Sequence, residues 1–244
     1  EMGDVLLFVD TFNRYFDPET LRAAERVIAA TGKTVGVVSA PGRPLCCGRT
    51  FLSAGQEDRA KQELQRTTDV FRTALGAGKT IVGLEPSCTL MFRDEAVNLV
   101  ANWSEEHGAQ ILTFAEYILQ NPPTGLDMSG IDVLVHGHCH QKAMGVAQHT
   151  VDAVNTVLGA NAQMIESSCC GMAGSFGYQS ETAEVSRQMA ELSLAPTVRA
   201  APADTIVLAD GFSCRCQIKD VTDRKAMNLA LLLDKALQDH VANH

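Results

Sequence analysis

Eight cysteines are the residues of this chain with the most chemistry to offer: Cys46, Cys47, Cys88, Cys139, Cys169, Cys170, Cys214 and Cys216. An even count suggests disulfides in a small secreted chain, but 244 residues can bury a core without staples. Two pairs, Cys46-Cys47 and Cys169-Cys170, are adjacent, and a relaxed disulfide holds its two Cα atoms further apart than neighbours allow. Thiols in a reducing compartment bind metal, do redox chemistry or lie inert in a core. A metal or cluster asks for about four deprotonated sulfurs and a backbone that can approach them closely.

The elements that must position these thiols recur. Val5-Leu-Leu-Phe-Val-Asp10, then Cys46-Cys47-Gly48, then Thr80 to Cys88 are echoed by Asp132 to Cys139, Cys169-Cys170-Gly171 and Thr205 to Cys214. Three landmarks in one order at nearly one offset imply a duplication. The seam falls at Asn121-Pro-Pro-Thr-Gly125, giving halves 1–125 and 126–244. Short apolar runs at 5–9, 34–38, 80–84, 131–135, 162–166 and 205–209 read as buried parallel strands. Helices are expected from Asp17-Pro18-Glu19 to a C-cap at Gly32, and over 147–158, 179–194 and 223–239. The fold class is α/β: two duplicated, Rossmann-like β/α halves with mostly parallel sheets, related by a pseudo-twofold.

In open α/β sheets ligands bind beyond the carboxyl ends of strands, which is where every landmark cysteine falls. The second half supplies Cys139, Cys169, Cys170 and Cys214 as metal ligands, with Cys216 nearby; the first supplies Cys46, Cys47 and Cys88, with Asp10 or Thr11 where Cys139 has its counterpart. The second site is expected to be occupied and the first degraded or different. Gly171 and Gly48 are candidate cofactor-binding positions, allowing positive φ and bringing amides toward sulfur. A helix after each Cys-Cys-Gly would aim its N–H groups at the thiolates. His136, His138 and His140 alternate around Cys139 and, on an extended strand end, would share the face opposite it; they read as ligand, proton relay or packed polar residues. Glu85, Glu166 and Asp210 stand near strand ends, to accept loop N–H bonds or fix a histidine tautomer. His240 and His244 read as a solvated tail.

Composition narrows the function. Hydrophobic residues make up 45% and charged residues 20%, as in an ordinary globular protein. The net charge of −9 argues against nucleic acid or an anionic membrane as main partner. No apolar run has the length of a transmembrane segment, and no signal peptide is visible. There is no phosphate-binding glycine fingerprint and no nucleotide signature, so independent catalysis is not expected.

At His138-Cys-His-Gln-Lys142, Glu166-Ser-Ser-Cys-Cys-Gly-Met-Ala-Gly174 and Asp210-Gly-Phe-Ser-Cys214 the chain resembles the cysteine-rich CCG domain family. That family includes the B subunit of heterodisulfide reductase and the iron–sulfur subunit of glycolate oxidase; these stretches look closest to the C-terminal region of FAD-linked D-lactate/glycolate-type oxidases. The family pattern is a cysteine, Cys-Cys-Gly, then Cys-x-x-Cys, usually twice. Here Gly211 and Glu85 stand where the first cysteine of each Cys-x-x-Cys would be. The resemblance implies electron transfer through a non-cubane [4Fe-4S] cluster, or zinc as the alternative, with Cys139, Cys169, Cys170 and Cys214 at ligand positions. It implies an FAD-binding oxidase domain and a ferredoxin-type iron–sulfur domain as partners, in the cytoplasm and peripheral to the inner membrane through them. The chain is expected to be an excised domain or a separate subunit. A thiol–disulfide enzyme using Cys169-Cys170 or Cys214-Cys216 is a third reading.

Overall fold

Val5–Phe8 is buried along its whole length, as a strand covered on both faces must be, and it forms the centre of a four-stranded parallel sheet. In the computed structural model, which describes residues 3–242, that strand (β1) is flanked by β2 (Val35–Val37) and β3 (Thr80–Gly83), with β4 (Ile111–Thr113) beyond, in the order β2-β1-β3-β4. The register pairs Val5 with both Val35 and Thr80, and Ile81 with Ile111. A second sheet repeats this order: β5 (Asp132–Val135), β6 (Asn161–Met164), β7 (Ile206–Leu208) and β8 (Ala226–Met227) run β6-β5-β7-β8, all parallel. The strand order reverses between the first and third strand of each set, which opens a crevice at their carboxyl ends. The two compact units divide between Thr124 and Gly125.

Helices cover the sheets by the usual amphipathic logic. Pro18–Ala30 buries Ala23, Ala24, Val27 and Ile28, spaced as one helical face. Asp17 stands at its N-cap, but its carboxylate accepts from the Thr20 hydroxyl (2.8 Å) rather than capping a backbone N–H. The long helix Glu57–Gly76 drives Leu64 and Phe71 inward. Phe71 meets Phe8 edge-on at 5.4 Å and Phe92 at 4.7 Å, and Trp103 closes the cluster while donating its indole N–H to the Phe92 carbonyl. The core of the second unit is aliphatic, with Ile165, Leu194, Val198, Val207 and Ile218 packed around Cys170, Met172 and Cys214.

Three expectations change. The helix over 179–194 is two helices, Ala183–Glu191 and Leu194–Ala200. Pro196 explains the break, because it lacks an N–H and its ring would strike the carbonyl four residues earlier. The helix over 223–239 starts later, at Leu229, because Ala226–Met227 pairs with β7 as the edge strand. His240 belongs to that helix, which runs to Ala242, and its half-buried ring lies against Gly125, so it is not a solvated tail; His244 lies outside the described residues.

Candidate metal centre

In the second unit, the turn after β5 carries His136, Gly137 and His138, and a short helix begins at Cys139 (Cys139–Ala143). His138 is its N-cap: Nδ1 accepts from the His140 N–H at 3.2 Å, while Gln141 Oε1 accepts from the His138 N–H at 3.0 Å. Because the chain turns into a helix at Cys139, the three histidines do not share a face opposite it. His136 instead points inward: it is 1% exposed, and one of its ring nitrogens lies with the sulfurs of Cys170 and Cys214 in a group whose ligand atoms are all within 4.8 Å of one another.

The loop after β6 brings Cys169 and Cys170, and the helix Phe212–Thr222 after β7 brings Cys214 in its first turn. All eight cysteines are free thiols. The four in this cluster form a chain of S–H···S contacts, with Cys139 donating to Cys169 and the single Cys170 proton shared between Cys169 and Cys214. Donation to a neighbour holds the Cys139 and Cys170 thiols up, and burial adds to it. Cys169 is held well below the usual thiol range by the hydrogen bonds it accepts from Cys139, Cys170 and the Gly171 N–H (3.3 Å), with help from His138. Cys214 is likewise held down by Cys170, His138 and His136, against the cost of burial. At these two sulfurs the shift runs toward the thiolate form that a soft cation requires.

Gly171 has φ +93°, and a Cβ there would lie 2.2 Å from the Ser186 carbonyl, so the turn needs glycine for both conformation and room. Its backbone N–H faces sulfur as expected, but no helix follows at once: the chain loops through a short 3₁₀ turn, Phe176–Tyr178, before the helix at Ala183. Behind the cluster, Asp210 accepts from Gln141 Nε2 (3.2 Å), Thr150 Oγ1 (2.9 Å) and the Leu229 N–H (3.1 Å), tying three helix starts to the end of β7. Lys142 latches the approach to Cys169 by donating to the carbonyls of Ser167 and Ser168.

The first unit repeats the scaffold with other residues. Asp10 caps the helix Thr11–Tyr15 as His138 caps its counterpart, so Thr11 stands where Cys139 does. Glu85 caps the helix Pro86–Thr89 as Gly211 begins its own, and Cys88 and Cys214 are each the third residue of their helices. Gly48 (φ +78°) closes the same turn, donating to Cys46 Sγ at 3.4 Å, and here the helix Arg49–Ser53 does follow directly. Cys46 donates to Cys47, and Cys47 to Cys88. All three thiols are pushed up. At Cys88 the hydrogen bond from Cys47 works the other way, but burial beside Asp10 and Glu85 pushes it up to about 11. Both carboxylates are already engaged, Asp10 with the Phe12 and Asn13 N–H groups and Glu85 with Ser87.

A family model described as a cysteine-rich domain, CCG, matches residues 7–93 and again 133–219. The chain belongs to the CCG family. Each match runs from the first strand of one sheet past the third and takes in the landmark cysteines after them, leaving the edge strands β4 and β8 outside. The chain is similar to a subunit of the anaerobic glycerol-3-phosphate dehydrogenase of Escherichia coli, 24% identical over 96% of this chain and 59% of the relative. It is similar also to the D-2-hydroxyglutarate dehydrogenases of Pseudomonas putida (29% identical, 91% of this chain) and Escherichia coli (28%, 89%), and it spans 21% of the length of each.

Within this CCG chain Cys216 stands apart from the cluster. Two residues after Cys214 on one helix, it faces another way and meets the Tyr178 hydroxyl, so Cys214-Cys216 lacks the geometry of a disulfide pair. Glu166 is exposed, and its backbone carbonyl accepts from the Ser193 hydroxyl. Sequence reasoning gave no role to Ser167, Gln141 or Lys142. Their signal was weak because each acts through a hydrogen bond to a partner that only the tertiary fold brings near.

Proposed function

We propose that this chain is the electron-relay part of an FAD-linked oxidoreductase acting on 2-hydroxy acids of the glycolate/D-lactate type. Cys139, Cys169, Cys170 and Cys214 would hold an iron–sulfur cluster of the non-cubane [4Fe-4S] type. The observation that carries the reading is the convergence of four thiols from three strand ends, Cys170 and Cys214 buried and Cys139 and Cys169 half-buried, beside a buried histidine nitrogen. Bound there, such a centre takes up and releases electrons, its potential set by burial and by hydrogen bonds to sulfur. The residues of this chain would hold and tune it: the Gly171 N–H donates to Cys169, and the Lys142 ammonium brings positive potential. The names of the relatives, dehydrogenases and a dehydrogenase subunit, support oxidoreductase work, and D-2-hydroxyglutarate is itself a 2-hydroxy acid. Partners would be an FAD-binding oxidase domain and a ferredoxin-type iron–sulfur domain, in the cytoplasm and near the inner membrane through them. No helix among the described residues is long and apolar enough to cross a membrane.

A zinc centre of structural or docking role is the second reading, favoured by the mixed group of His136, Cys170 and Cys214, a donor set that zinc accepts. Metal analysis and a visible spectrum of anaerobically purified protein separate the two. Several irons per chain with charge-transfer absorption support the relay, whereas about one colourless zinc per chain supports the alternative. Cys214→Ser should abolish binding in either case, and Cys216→Ser should leave it intact. A protein that binds neither metal overturns both.

A further inference from the structure

The CCG pattern has five thiolates per half, and the second unit has four at the matching positions. Gly211 stands at the fifth, and that space is filled: a Cβ built there would lie 2.5 Å from Cδ2 of His138 and 3.2 Å from Cys214 Sγ. The missing donor is therefore not replaced from position 211, and another buried group faces the sulfurs.

We propose that His136 is an imidazole ligand of the metal centre in the second unit, binding through Nε2 and supplying the donor that the cysteine pattern lacks. The inference rests on the reading that Cys139, Cys169, Cys170 and Cys214 hold a metal. Ser167 Oγ lies 2.9 Å from Nδ1 on one side of the ring, and the Lys142 ammonium donates to the same hydroxyl oxygen at 3.4 Å. On the other side of the ring Nε2 is fully buried, and His136 stands in hydrogen-bond contact with the Cys214 sulfur, the position a shared cation would take. A ring nitrogen of His136 lies within 4.8 Å of the sulfurs of Cys170 and Cys214, close enough for one cation to touch all three. A ligating histidine whose other ring N–H is held by an oxygen is the arrangement by which proteins orient imidazole toward metal. His138 is the weaker candidate, because its Nδ1 already accepts the His140 N–H and its ring packs on Gly211.

The test uses Co²⁺ alone as a paramagnetic probe, added anaerobically to the metal-free full chain grown on ¹⁴N- or ¹⁵N-histidine, and reads nitrogen coupling by pulsed electron paramagnetic resonance. The expected result is one directly bound histidine nitrogen in the wild type. It should be lost in His136→Ala and kept in His138→Ala, with cobalt binding at least about tenfold weaker in His136→Ala and about tenfold weaker in Ser167→Ala. His136→Gln, which can still reach Ser167, serves if His136→Ala does not fold, as judged by circular dichroism. Bound cobalt without histidine coupling, or coupling that survives removal of His136, overturns the inference while leaving the thiolate centre standing. Cobalt that does not bind, or binds equally well in Cys214→Ser, overturns the metal reading itself.

Discussion

At the scale of single residues, the turn around each Cys-Cys-Gly is decided by backbone geometry as much as by sulfur. Gly171 and Gly48 both have positive φ, both donate to the first cysteine of their motif, and at both a Cβ would strike a helix carbonyl, Ser186 in one unit and Ala60 in the other. Gly171→Ala should cost about 2–5 kcal/mol, the sum of a left-handed non-glycine residue and an overpacked contact. Gly42→Ala, at φ +89° with open space around the missing Cβ, should cost only about 1–2 kcal/mol. Urea unfolding of the two variants checks the difference; equal losses would mean that the Ser186 contact yields at no cost. The cysteines, their order and the glycine after them are local chemistry, and a sequence displays them directly. The role of His136 is not local. Its neighbours in sequence suggest an extended strand with alternating faces, whereas the helix start at Cys139 turns His138 into a cap and leaves the buried ring of His136 against Cys170 and Cys214. That outcome depends on Ser167, thirty-one residues away, which no spacing argument reaches.

At the scale of elements, parallel strands and duplicated order were legible because buried parallel strands are written as short, continuous apolar runs. The edge strands β4 and β8 were not, since three and two residues carry too little pattern to stand out from a helix or loop. β4 is held by a side-chain device. Arg93 donates to the Ile111 carbonyl and pairs with Glu116 at 2.6 Å, and Glu116 also closes the capping box of Phe114–Gln120 by accepting from the Thr113 N–H. Burial raises the Glu116 carboxyl, but Arg93 and Thr113 outweigh it and hold the group below its ordinary 4.5. A carboxylate whose pKa is depressed by folding stabilises the fold above the unfolded value, and that contribution is lost as pH falls through the folded value. Glu116→Gln should therefore cost about 1–3 kcal/mol at pH 7, with the gap to wild type closing as pH drops below about 4. Urea unfolding at several pH values measures it. A gap that persists unchanged at low pH would assign the loss to packing rather than to charge.

At the scale of the whole molecule, duplication preserved the scaffold and let the sites diverge. Each unit has the same strand order, the same glycine turn and a cysteine at the third position of the same helix. What differs is the company the sulfurs keep. The second unit has four clustered thiols with His136 and His138 beside them; the first has three, with Thr11 at the fourth position and two buried carboxylates beside them, Asp10 in place of His138 and Glu85 in place of Gly211. Those carboxylates cannot readily turn to a cation, because their oxygens already accept the N–H groups that start two helices and the Ser87 hydroxyl. Withdrawing them would leave buried donors unpaired, at about 1–3 kcal/mol each. Soft cations also prefer thiolate to carboxylate, so both count and chemistry favour the second unit. The protein should accordingly carry one centre, not two. Replacing Cys46, Cys47 and Cys88 together by serine should leave metal content and visible spectrum unchanged, whereas replacing Cys169 and Cys170 should remove both. Metal analysis of the two variants decides it: if the first set halves the metal instead, the first unit holds a centre of its own on three thiolates, and the divergence of its other positions has tuned that centre rather than abolished it.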